Sequence, residues 1–306
     1  MSILLKQSDS LTITGSAGAL AVSIIIPAYN EDHAIEAQLQ SVSQAMRDSR
    51  LAYEIIVVDD GSTDGTSAAV TASKINITHI RHRRNRGYGA ALKTGIHHAR
   101  GNLICIIDAD GTYPVDQITP LTQRLINGSF DMVVAARTGK DVHVPFLRRP
   151  AKWVLTKLAA YLVGRSIPDL NSGLRVMRKE TLLRFMKLLP DGFSFTTTIT
   201  MAMLSNGYDV DYMPINYNVR IGTSKIQPVR DTLNFTLLII RIIIYFHPLK
   251  IFIPISFCCF AASLLLILFR VFVHPAFAVT TIIFFVTGVQ LFGLGLIADL
   301  INRRTS

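Results

Sequence analysis

Two hydropathy regimes divide the chain. Up to about Ile226, apolar residues come in short runs broken by polar segments; from Leu249 onward they merge into two long stretches, Ile251–Phe269 and Ala276–Ala298. In the first regime, Val22–Ile26, Tyr53–Val58, Asn102–Ile107 and Asp131–Ala136 are short apolar or β-branched runs, the kind buried on both faces of a sheet. Between them, Asp32–Met46, Thr63–Ser73, Tyr88–Ala99 and Val115–Ile126 repeat apolar residues at helical spacing. Strand and helix in alternation predict an α/β fold with a mostly parallel sheet, whose ligands meet the carboxyl ends of the strands.

Beyond Asp141 the pattern loosens. A basic helix is expected over Leu147–Val163 and another helix over Phe193–Asn206, with the segment Ile167–Arg175 between them. Leu233–Phe246 is apolar but too short to span and carries Arg241, which predicts an interfacial helix lying along a bilayer and ending at His247-Pro248. Each long stretch is near the roughly 20 residues needed to cross about 30 Å of hydrocarbon as helix. Arg270–Pro275 is only long enough to be a turn, so the pair predicts a membrane hairpin with both ends on one side.

Composition sharpens this division. The 306 residues are 50% hydrophobic and 17% charged, with a mean hydropathy of +0.37, and the oily excess lies in the C-terminal stretches. A formal net charge of +10 fits either a nucleic-acid binder or a protein seated on anionic lipid that handles phosphates. Two spans favour the second and argue against nucleic acid. Lys250 before the first span, Arg303 and Arg304 after the second, and the basic polar half place the polar domain and both termini in the cytoplasm by the positive-inside tendency. The first twenty residues lack a continuous apolar core, so no signal peptide is expected. Cys105, Cys258 and Cys259 have neither metal-ligand spacing nor a sensible disulfide partner and read as structural thiols.

The chemistry-bearing residues gather at strand ends. Strand one runs into Pro27-Ala28-Tyr29-Asn30-Glu31, strand two into Asp59-Asp60-Gly61-Ser62, and Ile104–Ile107 into Asp108-Ala109-Asp110. Carboxylates at the end of a buried strand need something positive to meet them. Asp108 and Asp110 have the spacing to hold Mg²⁺ or Mn²⁺ through oxygen, with a diphosphate supplying other ligands. The run Asp59–Gly65 looks at first like a calcium loop, but a strand precedes it and the twelfth place is Thr71 rather than a bidentate glutamate. Ser62 or Thr63 is expected to cap the next helix, leaving Asp60 to receive a ligand donor such as a base's ring N–H. Gly87-Tyr88-Gly89 lacks the spacing of a dinucleotide fingerprint. Beside Arg83, Arg84, Arg86 and Lys93 it suits either a phosphate-approaching loop or a solvated basic one.

Taken together, the stretches IIIPAYNE, VVDDGSTDGT, NRGYGAALKTG, DADGTYP, PDLNSGLRVMR and VRIGTSK resemble a family 2 glycosyltransferase of the type-A fold. More narrowly they resemble polyprenyl-phosphate glycosyltransferases, the group that includes dolichyl-phosphate mannose synthases and bactoprenol glucosyltransferases. The resemblance runs over roughly Val22–Arg230, and the two spans match the bacterial branch. It implies a Rossmann-like catalytic domain over 21–225, after an N-terminal extension over 1–20. Juxtamembrane interfacial helices over 226–248 and a transmembrane hairpin with a short tail over 249–306 would follow.

The resemblance further implies donor contacts at Pro27, Tyr29, Glu31, Asp60, Asp108 and Lys225. It implies metal and diphosphate work at Asp108 and Asp110, and a catalytic set of Asp110, Asp169 and Arg220. Acceptor-phosphate work is implied around Asp169, Ser172 and Arg175, with Lys157 among the candidate cations. Where many relatives carry a metal-binding glutamine, this chain has Thr112, whose hydroxyl can coordinate weakly. Where some relatives carry an acceptor-binding arginine it has Pro168, leaving Lys152, Lys157 or Arg165 for that role.

The partners so implied are a nucleotide-sugar of the GDP-mannose or UDP-glucose type, a polyprenyl phosphate and the membrane, with surfaces for a homo-oligomer in the hairpin. The expected reaction is hexose transfer with inversion. Asp169 reads as a base, an orienter or a turn residue, with orientation favoured because a phosphate monoester needs little activation. A processive polysaccharide synthase is the enzymatic alternative, but the only tryptophan, Trp153, is not in a Q-x-x-R-W run. A catalytically silent nucleotide-binding membrane scaffold is the other.

Overall fold

Val22–Ala28 places seven consecutive residues without one exposed side chain, and such a strand has to be covered on both faces and flanked on both edges. The computed structural model describes residues 21–138, 164–217, 244–245, 248–272 and 278–305 and puts that strand near the middle of the sheet. The chain order begins β1 (Val22–Ala28), α1 (Ile35–Asp48), β2 (Tyr53–Asp59), α2 (Thr66–Ala72), β3 (Thr78–Arg81), α3 (Tyr88–His98) and β4 (Leu103–Ile106). A 3₁₀ turn (Val115–Gln117) runs into α4 (Ile118–Asn127), followed by β5 (Met132–Ala136). Then come β6 (Arg175–Arg178), α5 (Lys179–Phe185), α6 (Phe195–Ser205) and β7 (Val210–Pro214), and finally α7 (Leu249–Phe272) and α8 (Ala278–Thr305).

The sheet order is β3-β2-β1-β4-β6-β5-β7. β1, β2, β3 and β4 pair in parallel, as do β5 and β7, while β6 is antiparallel to both of its neighbours. The sheet is therefore mostly parallel, as the alternation predicts. β3, β6, α5 and β7 are additions to the expected elements. The three strands are only four or five residues long and carry charged residues that break the apolar pattern.

Two apolar layers follow from the period of two along each strand. Ile24, Ile26, Ile55 and Val57 face one way with Leu39, Val42 and Met46 of α1, and Ile25, Ile56 and Val58 face the other with Leu92 and Ile96 of α3. Gly95 is required where α3 crosses β1, since an added Cβ would lie 2.5 Å from Ile25 Cγ2. Pro27 lies beyond the last β1–β4 pair, on a stretch flanked in register by β2 alone, where a missing ladder donor costs least.

α7 and α8 pack against each other as a hairpin. An added Cβ at Gly288 would lie 2.7 Å from the Phe260 ring, and one at Gly295 2.7 Å from Phe252 Cβ. Ser263 Oγ donates to the Thr281 carbonyl at 3.1 Å. Leu249–Phe269 and Val279–Ile301 are each long and apolar enough to cross a membrane, and only 11% and 17% of their apolar windows are buried. That exposure argues against core helices and fits a membrane hairpin. The helices expected over Leu147–Val163 and most of Leu233–Phe246, with the N-terminal extension, lie outside the described residues.

At the opposite end of the sheet from the strand carboxyl ends, Glu54 ties three elements together. Its Oε1 receives Ser23 Oγ and the Arg100 N–H, both at 2.6 Å, and its Oε2 receives Arg100 Nε at 3.0 Å. Burial pushes the Glu54 carboxyl upward, but these hydrogen bonds outweigh it and hold the group below its usual pKa. A depressed carboxyl contributes stability above its unfolded pKa of about 4.3, and that contribution is lost as pH falls through the folded value. Glu54→Gln is thus expected to cost about 1.5–3 kcal/mol at pH 7, read as a lower thermal midpoint. The gap from the parent should shrink below about pH 4; a gap constant down to pH 3 would refute the assignment.

Candidate active site

Because β1, β2 and β4 are parallel neighbours, their carboxyl ends open on one edge, and the predicted acidic clusters converge there. The first two loops are stitched together. Asn30 sits at φ 54°, its N–H donating to Ser62 Oγ at 3.0 Å and its Oδ1 accepting the Thr63 N–H at 2.9 Å. The Glu31 N–H donates to Thr66 Oγ1 at 2.8 Å. The hydroxyls of this segment thus serve the loop after β1. The expected cap at Ser62 or Thr63 is replaced by Asp64, whose Oδ1 takes the Thr66 N–H at 3.0 Å. Tyr29 and Glu31 are half-buried at this edge, and Pro27 is buried within β1.

Asp60 is 3% exposed, and its oxygens are engaged by the chain itself. Oδ1 meets His82 Nδ1 at 2.6 Å and the Arg86 N–H at 2.9 Å, and Oδ2 accepts the Gly87 N–H at 2.7 Å. A residue expected to meet a ligand base therefore organises the 82–87 loop. Gly87 is held at φ 104°, where an added Cβ would lie 2.5 Å from the Asp191 carbonyl oxygen, and α3 starts directly afterwards.

That start delivers Tyr88, whose hydroxyl donates to Asp108 Oδ1 at 2.8 Å and whose ring stacks on the exposed Phe193 at 5.3 Å. Burial, then the Asp108 charge, push the Tyr88 phenol well above its ordinary pKa, so it stays a neutral donor. Asp108 also lies against Gly173, where an added Cβ would come within 2.1 Å of Oδ2. The Gly173 N–H donates to Tyr113 Oη at 2.6 Å. Tyr113 packs edge-on against Tyr217 at 5.2 Å, and the Arg137 guanidinium lies over the Tyr217 ring at 5.4 Å.

Arg137 completes the wall. Its main-chain N–H, Nε and Nη2 reach the Asp169 carboxylate at 3.0, 2.7 and 2.9 Å, and Asn171 N–H adds a further bond at 3.1 Å. Burial works against the Arg137 charge, yet the Asp169 hydrogen bonds prevail and raise its pKa. From sequence, Arg137, Tyr113 and Gly173 have no individual site role, and Tyr88 appears there only within Gly87-Tyr88-Gly89 and its loop. Arg137 does directly follow β5, so the strand-end rule that found Asp60 and Asp108 also reaches it.

Several expected roles move. Arg175 is fully buried: Nε and Nη2 bond the Ser172 carbonyl at 3.1 and 2.5 Å, and Nη1 bonds the Thr196 carbonyl at 3.0 Å and Thr200 Oγ1 at 2.8 Å. Burial lowers its pKa. It supports the Ser172–Gly173 turn, and no part of it is exposed where an acceptor phosphate was expected. Ser172 is likewise fully buried, with its hydroxyl turned onto the Leu174 carbonyl at 3.3 Å. Arg165 pairs with Asp209 at 3.6 Å, before the amino end of β7; among the described residues Arg137 is a cation paired with Asp169. Thr112 is fully buried and donates to Asp110 Oδ1 at 2.6 Å, so it orients that carboxylate. Lys152, Lys157, Arg220 and Lys225 lie outside the described residues.

Among the described residues no group of three His, Cys, Asp or Glu side chains gathers to hold a metal. The donors at hand are the carboxylates of Asp108 and Asp110, with the Thr112 hydroxyl bonded to the latter. Two hard oxygen donors suit a hard divalent cation that would take its other ligands from phosphate and water.

Comparison with known proteins follows this geometry. Residues 23–184 match the profile of Glycosyl transferase family 2, and residues 247–303 match the GtrB C-terminal hairpin. The chain is 33% identical over 223 residues to a dolichol-phosphate mannosyltransferase of Pyrococcus furiosus, covering 68% of this chain and 60% of that one. It is 30% identical over 208 residues to a dolichyl-phosphate hexose transferase of Haloferax volcanii, covering 68% and 87%. It is 26% identical over 294 residues to an undecaprenyl-phosphate 4-deoxy-4-formamido-L-arabinose transferase of Klebsiella pneumoniae, covering 92% and 88%. Glucosyl-3-phosphoglycerate synthase from Mycobacterium tuberculosis, solved with Mn²⁺, uridine diphosphate and glucosyl-3-phosphoglycerate, has the same fold. Its TM-score is 0.58 at 20% identity, covering 74% of this chain and 80% of that one.

The reassignment of Arg175 has a direct check. Arg175→Met leaves the Ser172 carbonyl without its buried side-chain donor, while the Thr196 carbonyl keeps Thr200 Oγ1 at 2.8 Å, and is expected to cost about 1–3 kcal/mol. Thermal unfolding should show the loss, with KM for acceptor little changed in the protein that remains folded. A raised acceptor KM at unchanged thermal midpoint would restore the binding role.

Proposed function

The chain belongs to glycosyl transferase family 2, and we propose that it transfers a hexose from a nucleotide-sugar to a polyprenyl phosphate at the membrane surface. The observation that carries this reading is the union, in one chain, of a family 2 glycosyltransferase domain, with Asp108 and Asp110 beyond the carboxyl end of β4, and a GtrB-type apolar hairpin. The relatives that share this chain's sequence are named for sugar transfer to dolichyl or undecaprenyl phosphate.

In the proposed step an oxygen of the lipid monophosphate bonds to the anomeric carbon as the bond from that carbon to the nucleotide diphosphate breaks. The electron pair leaves with the nucleoside diphosphate, and in-line geometry inverts the anomeric centre. Asp108 and Asp110 would hold a Mg²⁺ or Mn²⁺ ion, which supplies Lewis-acid neutralisation of the leaving diphosphate. Tyr88 and Thr112 fix the two carboxylates by donating to them. Arg137 presents positive charge at the same edge, suited to the acceptor phosphate. Among the described residues Asp169 receives four N–H donors and so orients Arg137 rather than taking a proton. No base is required, because a phosphate monoester with a second pKa of about 6 is largely ionised at neutral pH. Arg220 and Lys225 remain candidates for the diphosphate. With both ends of the hairpin basic, the catalytic domain and termini belong on the cytoplasmic side.

The test is incubation of the full chain in vesicles with undecaprenyl phosphate and a panel of radiolabelled nucleotide-sugars. Label should enter the organic phase with one donor and require the lipid phosphate. Label entering only a water-soluble product or a long polymer would overturn the reading.

Asp110→Asn is expected to lower turnover roughly 10²–10³-fold, the scale of losing one transition-state electrostatic contact. Folding should persist, since an amide oxygen can still accept from Thr112. EDTA should abolish transfer and added Mn²⁺ or Mg²⁺ restore it; full activity in EDTA refutes the metal assignment. The parent's kcat/KM should decline below about pH 6, as the acceptor phosphate protonates, and Asp169→Asn should leave that pH profile in place at reduced rate.

A further inference from the structure

Phe193 is 71% exposed, and a single exposed apolar side chain would by itself mean little. What sets it apart is how firmly the chain holds it. The Asp191 carbonyl accepts the Ala90 N–H at 2.9 Å, and the Asp191 carboxylate meets Lys93 Nζ at 2.7 Å. An added Cβ at Gly89 would lie 2.1 Å from the Pro190 carbonyl oxygen, so the two backbones meet only because that position carries no side chain. The segment before Phe193 is thus clamped to the first two turns of α3.

That clamp fixes the ring. It lies nearly parallel to Tyr88, with 15° between the planes, and Tyr88 in turn bonds Asp108. Stacking covers one face of Phe193; with most of the side chain exposed, the other face stays open. Two residues on, α6 begins, and its first turn bonds the opposite wall. Thr197 Oγ1 donates to Asn171 Oδ1, and the Thr196 carbonyl accepts from Arg175. Contacts on either side of Phe193 therefore lead to Asp108 through Tyr88 and to the 169–173 turn through α6.

Under the proposed reaction, that interval is where the hexose has to lie. Its anomeric carbon parts from a diphosphate at Asp108 and Asp110 and joins a phosphate at Arg137, the cation that Asp169 orients. The nucleoside would extend the other way, toward the ends of β1 and β2. A hexose carries hydroxyls around its rim and C–H groups across its faces. The face of an aromatic ring is the negative side of a quadrupole and attracts such hydrogens, in addition to burying apolar surface. Phe193 offers that face beside side chains that are otherwise polar or charged.

We infer that the open face of Phe193 receives the C–H groups of the hexose being transferred, which makes Phe193 a sugar-recognition residue of the donor site. The inference rests on the reaction proposed above. Tyr88 then serves in two directions: its hydroxyl holds Asp108, and its ring backs Phe193. A ring clamped in advance loses little freedom when substrate arrives, so more of the contact shows as binding.

The test uses the full chain in phosphatidylcholine vesicles with undecaprenyl phosphate and the nucleotide-sugar of the panel that labels it. Phe193→Ala should lower kcat/KM for that donor roughly two- to tenfold, the scale of one lost aromatic contact. Phe193→Leu keeps apolar bulk without a flat face and should fall as far, whereas Phe193→Trp should stay within about twofold of the parent. Inhibition by the free nucleoside diphosphate, which lacks the hexose, and KM for the lipid phosphate should hold in all three. Unchanged kcat/KM in Phe193→Ala overturns the inference, as does a parent-like Phe193→Leu. Weakened nucleoside diphosphate inhibition would trace the effect to Tyr88 and Asp108, and a raised lipid KM to an isoprenoid contact; either result overturns it too. A parent that labels no lipid defeats the proposed reaction and this inference together. A parent that transfers hexose no better than Phe193→Ala defeats this inference alone.

Discussion

A buried carboxylate must be met by donors, and at Asp60 the donors are the loop that launches α3. Bonds from His82 Nδ1, the Arg86 N–H and the Gly87 N–H fix where that helix begins. Its first residue, Tyr88, then reaches Asp108. From there contacts pass to Gly173, Tyr113, Tyr217, Arg137 and Asp169. The wall of the crevice is thus a continuous series of contacts in which each carboxylate is positioned by a neutral or cationic donor. Such a network is worth most when every member is satisfied, because the low local dielectric penalises any group left alone.

Two arginines, one half-buried and one fully buried, divide the electrostatic work. Arg137 meets a carboxylate through Nε and Nη2, and removing it would strand the buried Asp169 charge, which commonly costs about 3–5 kcal/mol. Arg175 has no carboxylate among its hydrogen-bond partners; carbonyls and a threonine hydroxyl take its protons. Carbonyl dipoles can hold a guanidinium in place without cancelling its charge. Arg175 therefore stiffens the turn that carries Gly173, while Arg137 joins Asp169 to the Tyr217 ring.

The polar crevice and the apolar hairpin make sense together. A sugar donor arrives from water, whereas a polyprenyl chain cannot leave the bilayer without exposing its hydrocarbon. Catalysis between them requires an enzyme held at the interface. A phosphate acceptor fits a wall of donors and cations in which His82 and Asp60 are both spent on the loop.

Periodicity alone was enough to place β1, β2, β4, β5 and the helices between them, since a strand buried on both faces and an amphipathic helix each leave a repeating trace in local sequence. The acidic pair at 108 and 110 and the two apolar spans were legible for the same reason: spacing and length are properties of a continuous segment. What only the tertiary structure decided was which charges meet. Arg137 and Asp169 are 32 residues apart and join through the ordering of β5 and β6 in the sheet. Arg175 faces inward because β6 pairs antiparallel with Arg175 opposite Ile106 and Val134, and a slip of one residue would have turned it to the other face. Sequence reports what a segment can bury; register and long-range pairing, which no short window contains, determine what each buried charge finds there.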